Sequence, residues 1–148
     1  MKQNRNRLVT LGLMAILVVI LGACGPADTG PVILTVTGLV DKPLSLTDAG
    51  LHKLDAVTLT VEHPKNGMTE YTGVLLSDLL EQAGAQVEGA TLVLTASDGY
   101  TAEVELAAVL ECTDCLVAFT ETAGDYVAVL PGQSSKAWVK GLVGIEIK

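Results

Sequence analysis

The chain has 148 residues, 49% of them hydrophobic, with 17 acids against nine Lys and Arg and a formal charge of −8. That length bounds it to one domain, since about 100–200 residues per domain is usual. The acidic balance argues against nucleic acid as a partner, because phosphate binding needs clusters of Lys and Arg, and an aromatic content of 3% leaves little for a groove of stacked rings.

The first residues read as a leader. Met1–Arg7 carries Lys2, Arg5 and Arg7 and no acid, and Leu8–Leu21 is almost wholly apolar. That apolar run is shorter than the roughly 20 residues a spanning helix needs. A basic start, an apolar middle and small residues before a break are the parts of a secretory signal. Leu21-Gly22-Ala23-Cys24 resembles the lipobox of bacterial lipoproteins. The resemblance implies cleavage after residue 23, a lipid on the sulfur of Cys24, and a protein held in the cell envelope outside the cytoplasmic membrane. An ordinary signal peptide with a chance cysteine is the alternative. Cleavage removes three positive charges and no acid, so the charge moves from −8 to −11. The remaining part has six lysines and no arginine, so membrane attachment rests on the lipid and not on charge.

Residues 24–31 are small and turn-forming and make a tether, and residues 32–148 form the folded module. Val32–Gly38 reads as a strand, Asp41-Lys42-Pro43 as a turn and Leu44-Ser45-Leu46 as a brief strand. Thr47 can cap a short helix running through Leu54. From Ala56 to His63 the alternation is clean, with Val57, Leu59 and Val61 on one face and Thr58, Thr60 and Glu62 on the other. Asn66-Gly67 is a hairpin signal, and the partner strand runs from Met68 to Thr72.

The stretch from Tyr71 to Glu105 holds the clearest local signals. Leu75, Leu76, Leu79, Leu80 and Ala83 recur at helical spacing. Ser77 can accept from the first free amides, and Gly84 can supply the left-handed residue that stops the helix. Leu92, Leu94 and Ala96 then alternate as a strand, and Asp98-Gly99 is the dipeptide of a two-residue hairpin turn. Leu106–Leu110 suggests another helical turn. Strands follow from Leu116 to Thr120 and from Tyr126 to Leu130, joined through Gly124-Asp125. Pro131–Lys136 is a polar loop, and Leu142–Ile147 is the last strand. Short strands with two or three short helices and no repeated βαβ unit predict a compact α+β domain.

Four of these pieces stand in a recognisable order. They are Leu34-Thr-Val-Thr-Gly-Leu-Val-Asp-Lys-Pro-Leu-Ser-Leu, Tyr71-Thr-Gly-Val-Leu-Leu-Ser-Asp-Leu-Leu, Ser97-Asp-Gly-Tyr, and Pro131-Gly with Trp138-Val-Lys-Gly-Leu-Val-Gly-Ile-Glu-Ile. In that order they resemble the molybdopterin-binding domain of the sulfite oxidase family of oxidoreductases. The resemblance implies that fold. It also implies molybdopterin as cofactor, its molybdenum held by the pterin dithiolene and, in catalytic members, by one cysteine thiolate, since soft sulfur suits such a metal. That cysteine belongs to the loop occupied here by Glu62-His63-Pro64-Lys65-Asn66-Gly67, which has none. The family also uses arginines to hold the pterin phosphate and an anionic substrate in pairs of hydrogen bonds, and none follows residue 23. Lys140, in Trp138-Val-Lys, has a counterpart among the family's basic positions, and His63 falls near the metal-ligand loop. These two residues are the cofactor-binding candidates; no catalytic or metal-ligating residue is assigned.

Other constellations carry competing readings. Cys112-Thr-Asp-Cys115 can close into a disulfide outside the cytoplasm, remain a free pair, or serve a redox or metal role. It follows a helix-like run instead of opening one, and Glu111 and Asp114 beside it disfavour thiolates. With His52 and His63 the two cysteines match the inventory of a tetrahedral zinc site but not its spacing. Gly132-Gln-Ser-Ser-Lys136 lacks the strand-to-helix context of a phosphate loop. Trp138 reads as a core or rim anchor. The expectation is a bacterial, lipid-anchored, extracytoplasmic binding or accessory module without the molybdenum-ligating cysteine. An active molybdopterin-dependent component in electron transfer is the alternative, with a dithiol carrier behind both.

Overall fold

The strand at Val32–Gly38 (β1) buries Leu34 and Val36 and leaves Thr35 and Thr37 on its other side, as the alternation predicts. A computed structural model describes residues 29–87 and 90–148. The leader (1–23), Cys24 and the tether as far as Asp28 lie outside the described residues. After β1 come β2 (Leu44–Thr47), α1 (Asp48–Leu51), β3 (Ala56–His63), β4 (Gly67–Leu75) and α2 (Leu76–Ala83). Then follow β5 (Thr91–Ala96), β6 (Thr101–Glu105), α3 (Leu106–Leu110), β7 (Leu116–Phe119), β8 (Tyr126–Val129) and β9 (Leu142–Ile147).

Two sheets result. The larger has the order β2-β1-β9-β5-β6 and the smaller β3-β4-β7-β8. All pairings are antiparallel except β1 with β9, which run parallel from Thr35↔Gly144 to Gly38↔Ile147. The architecture is the α+β, sheet-dominated one expected. The main core joins Leu34 and Val36 of β1, Leu92 and Leu94 of β5, and Ile145 and Ile147 of β9 to Leu76, Leu79 and Leu80 of α2. Val117, Tyr126 and Ala128 enter it from the small sheet. The opposite face of that sheet carries a second cluster, with Val61, Leu116, Ala118 and Val129 covered by Trp138. Among the described residues no helix is long and apolar enough to cross a membrane.

Three local expectations change. Helix α2 begins at Leu76 with no side-chain cap, and the Ser77 hydroxyl donates to Asp78 Oδ1 at 3.4 Å. A cap is unnecessary because the Leu76 amide donates to the Cys115 carbonyl at 2.9 Å. The Asp98-Gly99 turn is longer than two residues: Ala96 N–H donates to Tyr100 O at 2.8 Å and Gly99 N–H to Ala96 O at 3.0 Å. Gly99 takes φ +87°, and Asp98 Oδ1 accepts the Tyr100 amide at 2.9 Å, which fits the three-residue turn with a bulge. Strand β4 extends to Leu75 because Gly73–Leu75 pairs with Leu116–Ala118 of β7. The Thr47 cap is present, its Oγ1 accepting the Gly50 amide at 3.0 Å.

The β4–β7 approach is tight at Gly73, where an added Cβ would lie 2.1 Å from the Val117 carbonyl oxygen. Gly73→Ala forces the two backbones apart and is expected to cost about 2–3 kcal/mol, read as a lower urea midpoint; an unchanged midpoint would refute so close a contact.

A polar tie joins α1 to the β7–β8 turn. Asp48 Oδ1 accepts the Gly124 amide at 2.9 Å and the hydroxyl of the buried Tyr126. The Tyr126 hydrogen bond is the main reason the Asp48 carboxyl is held below its usual range; the Gly124 amide and His52 add to it, while partial desolvation opposes it. Burial first, then the hydrogen bond to Asp48 and last the Asp48 charge, push the Tyr126 phenol up. An acid with a depressed folded pKa stabilises above its unfolded value of about 3.9 and loses that stabilisation as the pH falls through the folded one. Thermal melts of D48N should therefore start lower at neutral pH and fall less steeply than wild type below about pH 4. Parallel curves for the two proteins would remove Asp48 from the acid response.

Candidate functional site

Two loops meet over the outer face of the small sheet. The first is the β3–β4 connection. His63 ends β3, and its Nδ1 accepts the amides of Lys65 and Asn66, each at 3.1 Å. With Nδ1 engaged as an acceptor, the neutral ring carries its proton on Nε2. The imidazole thus holds its own loop together and offers a donor on its far side.

The second loop follows β8. Gln133 N–H donates to Leu130 O at 3.1 Å and Ala137 N–H to Ser134 O at 2.9 Å. The Tyr100 hydroxyl, on the β5–β6 turn, donates to the Lys136 carbonyl at 2.9 Å. The chain then dives inward as Ala137-Trp138-Val139, all buried. Val139 O accepts the Ala128 amide at 2.8 Å, and Lys140 bridges to Val127.

Trp138 is the centre of the resulting aromatic group. His63 packs edge-on to it at 4.8 Å between centroids, and Tyr71 at 5.9 Å. Trp138 is 8% exposed, and its Nε1–H has no hydrogen-bond partner among the described residues. Burying an indole ring is worth about 4–6 kcal/mol of apolar transfer, while an unsatisfied donor costs about 1–3 kcal/mol. Packing therefore holds the ring in place despite the orphaned N–H. Burial also pushes the Tyr71 phenol up, so it stays a neutral donor at physiological pH.

These residues border a cleft of about 330 Å³. Its apolar walls are Tyr71, Val127 and Trp138, and His63, Lys65, Asn66, Ser135 and Lys140 supply the polar edge. His63 and Lys140, far apart in sequence, thus border one space. Lys65, Asn66, Tyr71 and Ser135 were missed as site residues. Lys65 and Asn66 were legible, since they sit beside His63 in the loop that the family resemblance singles out. Tyr71 and Ser135 have no local signal.

The remaining candidates lie elsewhere. Cys112 and Cys115 are joined as a disulfide between α3 and β7, with 5.5 Å between their Cα atoms, a separation that a four-residue loop meets comfortably. Asp114 completes a close trio with them, but sulfurs bonded to each other are not free thiolates for a metal. His52 packs on Phe119 at 4.1 Å between centroids. The zinc inventory is therefore split among three places. Cys24 lies outside the described residues.

The donor set decides what suits the cleft. It consists of two ammonium groups, an imidazole N–H, a phenol, an amide and a hydroxyl. These groups complement an anion. No thiolate is among them, so the lining fits the anionic and planar parts of a pterin cofactor but not the protein ligand of a soft metal.

A comparison with curated proteins finds no match. Among solved structures, the fold is similar to the sulfane dehydrogenase SoxCD from Paracoccus pantotrophus. The TM-score is 0.62 and the identity 25%, over 77% of this chain and 37% of that one. The chain thus spans little more than a third of that protein's length. The family of oxidoreductase molybdopterin binding domains matches residues 26–148. With its two-sheet architecture and the cleft in place, the chain belongs to the oxidoreductase molybdopterin binding domain family.

Proposed function

We propose that this protein is a lipid-anchored, extracytoplasmic binding or accessory module that keeps the family scaffold and does not hold molybdenum through a protein thiolate. The observation that carries this reading is the donor set of the cleft. Where the family's cysteine would stand, the loop presents His63, Lys65 and Asn66. His63 is a poor substitute ligand, because its Nδ1 is committed to two backbone amides and its Nε2 carries the proton. Hard cationic donors attract anions and do nothing for a soft metal centre. His63 and Lys140 are the residues that face whatever is bound.

Family membership favours a second reading, an active molybdopterin-dependent component in electron transfer. Metal content separates the two. The domain purified from a host that makes the molybdenum cofactor is expected to carry molybdenum far below one atom per chain. Stoichiometric molybdenum with pterin would overturn the accessory reading in favour of the enzyme.

Anchoring rests on the Leu21-Gly22-Ala23-Cys24 pattern. Without a basic surface to bind anionic lipid, one acyl-bearing residue has to supply the attachment. Cys24→Ala is expected to move the protein from the membrane fraction to the soluble one on cell fractionation. Retention in the membrane would rule out a lipid on Cys24.

A further inference from the structure

We infer that the cleft beneath the 131–137 loop is a metal-free receptor for a small, flat organic carboxylate. The inference rests on the accessory reading above and names the ligand class of that same site. Three observations combine. The first is charge. The chain carries −8 overall and six lysines after residue 23, yet two of those, Lys65 and Lys140, border this one space. Neither makes an ion pair with an acid among the described residues. Two uncompensated ammoniums on an acidic protein mark a local reversal of field, which concentrates anions there.

The second observation is proton placement. His63 spends Nδ1 on the Lys65 and Asn66 amides, so its remaining nitrogen can only donate. The polar edge therefore offers donors and positive charge in excess, and a carboxylate head accepts from such groups with both oxygens.

The third is the wall. Tyr71, Val127 and Trp138 give the cleft an apolar side that a bare inorganic oxoanion would leave unused. At about 330 Å³ the space stands at the small end of ligand pockets, which suits one or two fused rings. Apolar walls with a few convergent polar groups are what such sites share.

Trp138 is the only tryptophan in the chain, so its emission reports on this place alone. Benzoate titrated into the purified mature protein is expected to change that emission saturably, and sodium sulfate at equal ionic strength is not. Lys140→Ala and Lys65→Ala should each weaken benzoate binding roughly fivefold or more while far-UV dichroism and the melting midpoint stay as in wild type. A pterin carboxylate that binds more tightly than benzoate would support the same receptor with a fused-ring body. The inference is overturned if benzoate gives no saturable change, if sulfate matches it, or if both lysine variants bind benzoate as wild type does. Molybdenum content is read separately on the same preparation. A molybdenum-free protein that ignores benzoate sinks the receptor alone, and a molybdenum-loaded one sinks the accessory reading beneath it.

Discussion

Strand β7 is buried on both faces, and most of the molecule hangs on that. Val117 points into the main core, while Leu116 and Ala118 point into the second cluster under Trp138. Each full burial of a side chain such as Leu or Val contributes about 1.5–3 kcal/mol, so β7 stabilises both sides of the small sheet at once. Its backbone lies so close to β4 that only glycine fits at residue 73. Just before it, the Cys115 carbonyl takes the first amide of α2, and the disulfide fixes the turn that leads in from α3. Displacing β7 would loosen the helix, the hairpin and the floor of the cleft together.

The cleft is a consequence of that double burial. Because the outer face of the small sheet is apolar, something has to cover it, and Trp138 does so from the segment after β8. Once the indole is seated, His63 and Tyr71 pack against its edges and Lys140 follows beside Val127. Hydrophobic packing on the indole thus places the polar groups, and the His63 Nδ1 bonds to the Lys65 and Asn66 amides fix the loop between them. Such an arrangement tolerates exchange of the polar edge while the scaffold persists. That is how a chain can belong to a molybdopterin-binding family and still present lysines and a donor imidazole at the edge of its cleft.

Much of the fold was legible because local signals agreed with the final structure. Val32–Gly38, Ala56–His63 and Leu142–Ile147 have the bounds read from alternation, and the Thr47 cap works as its residue type suggests. The failures share one cause. Ser77 does not cap α2, and β4 runs three residues beyond Thr72, because β7 supplies backbone partners at both places. No nearby residue announces a strand that arrives some 40 residues later. The cleft was half legible for a related reason: His63 and Lys140 stood out by position within the family pattern, whereas Tyr71 and Ser135 look like ordinary strand and loop residues.

The sequence by itself determined the periodic elements, the acidic charge, the missing arginines and the absence of cysteine from the loop after β3. These are properties of short stretches, set by residue type and spacing of two or 3.6. Only the tertiary structure decided which strands became neighbours and that Lys65 and Lys140 border one apolar-walled space. Those facts depend on β7 threading between β4 and β8 and on Trp138 covering the face it leaves. Both are contacts between distant parts of the chain, settled by burial and not by local propensity.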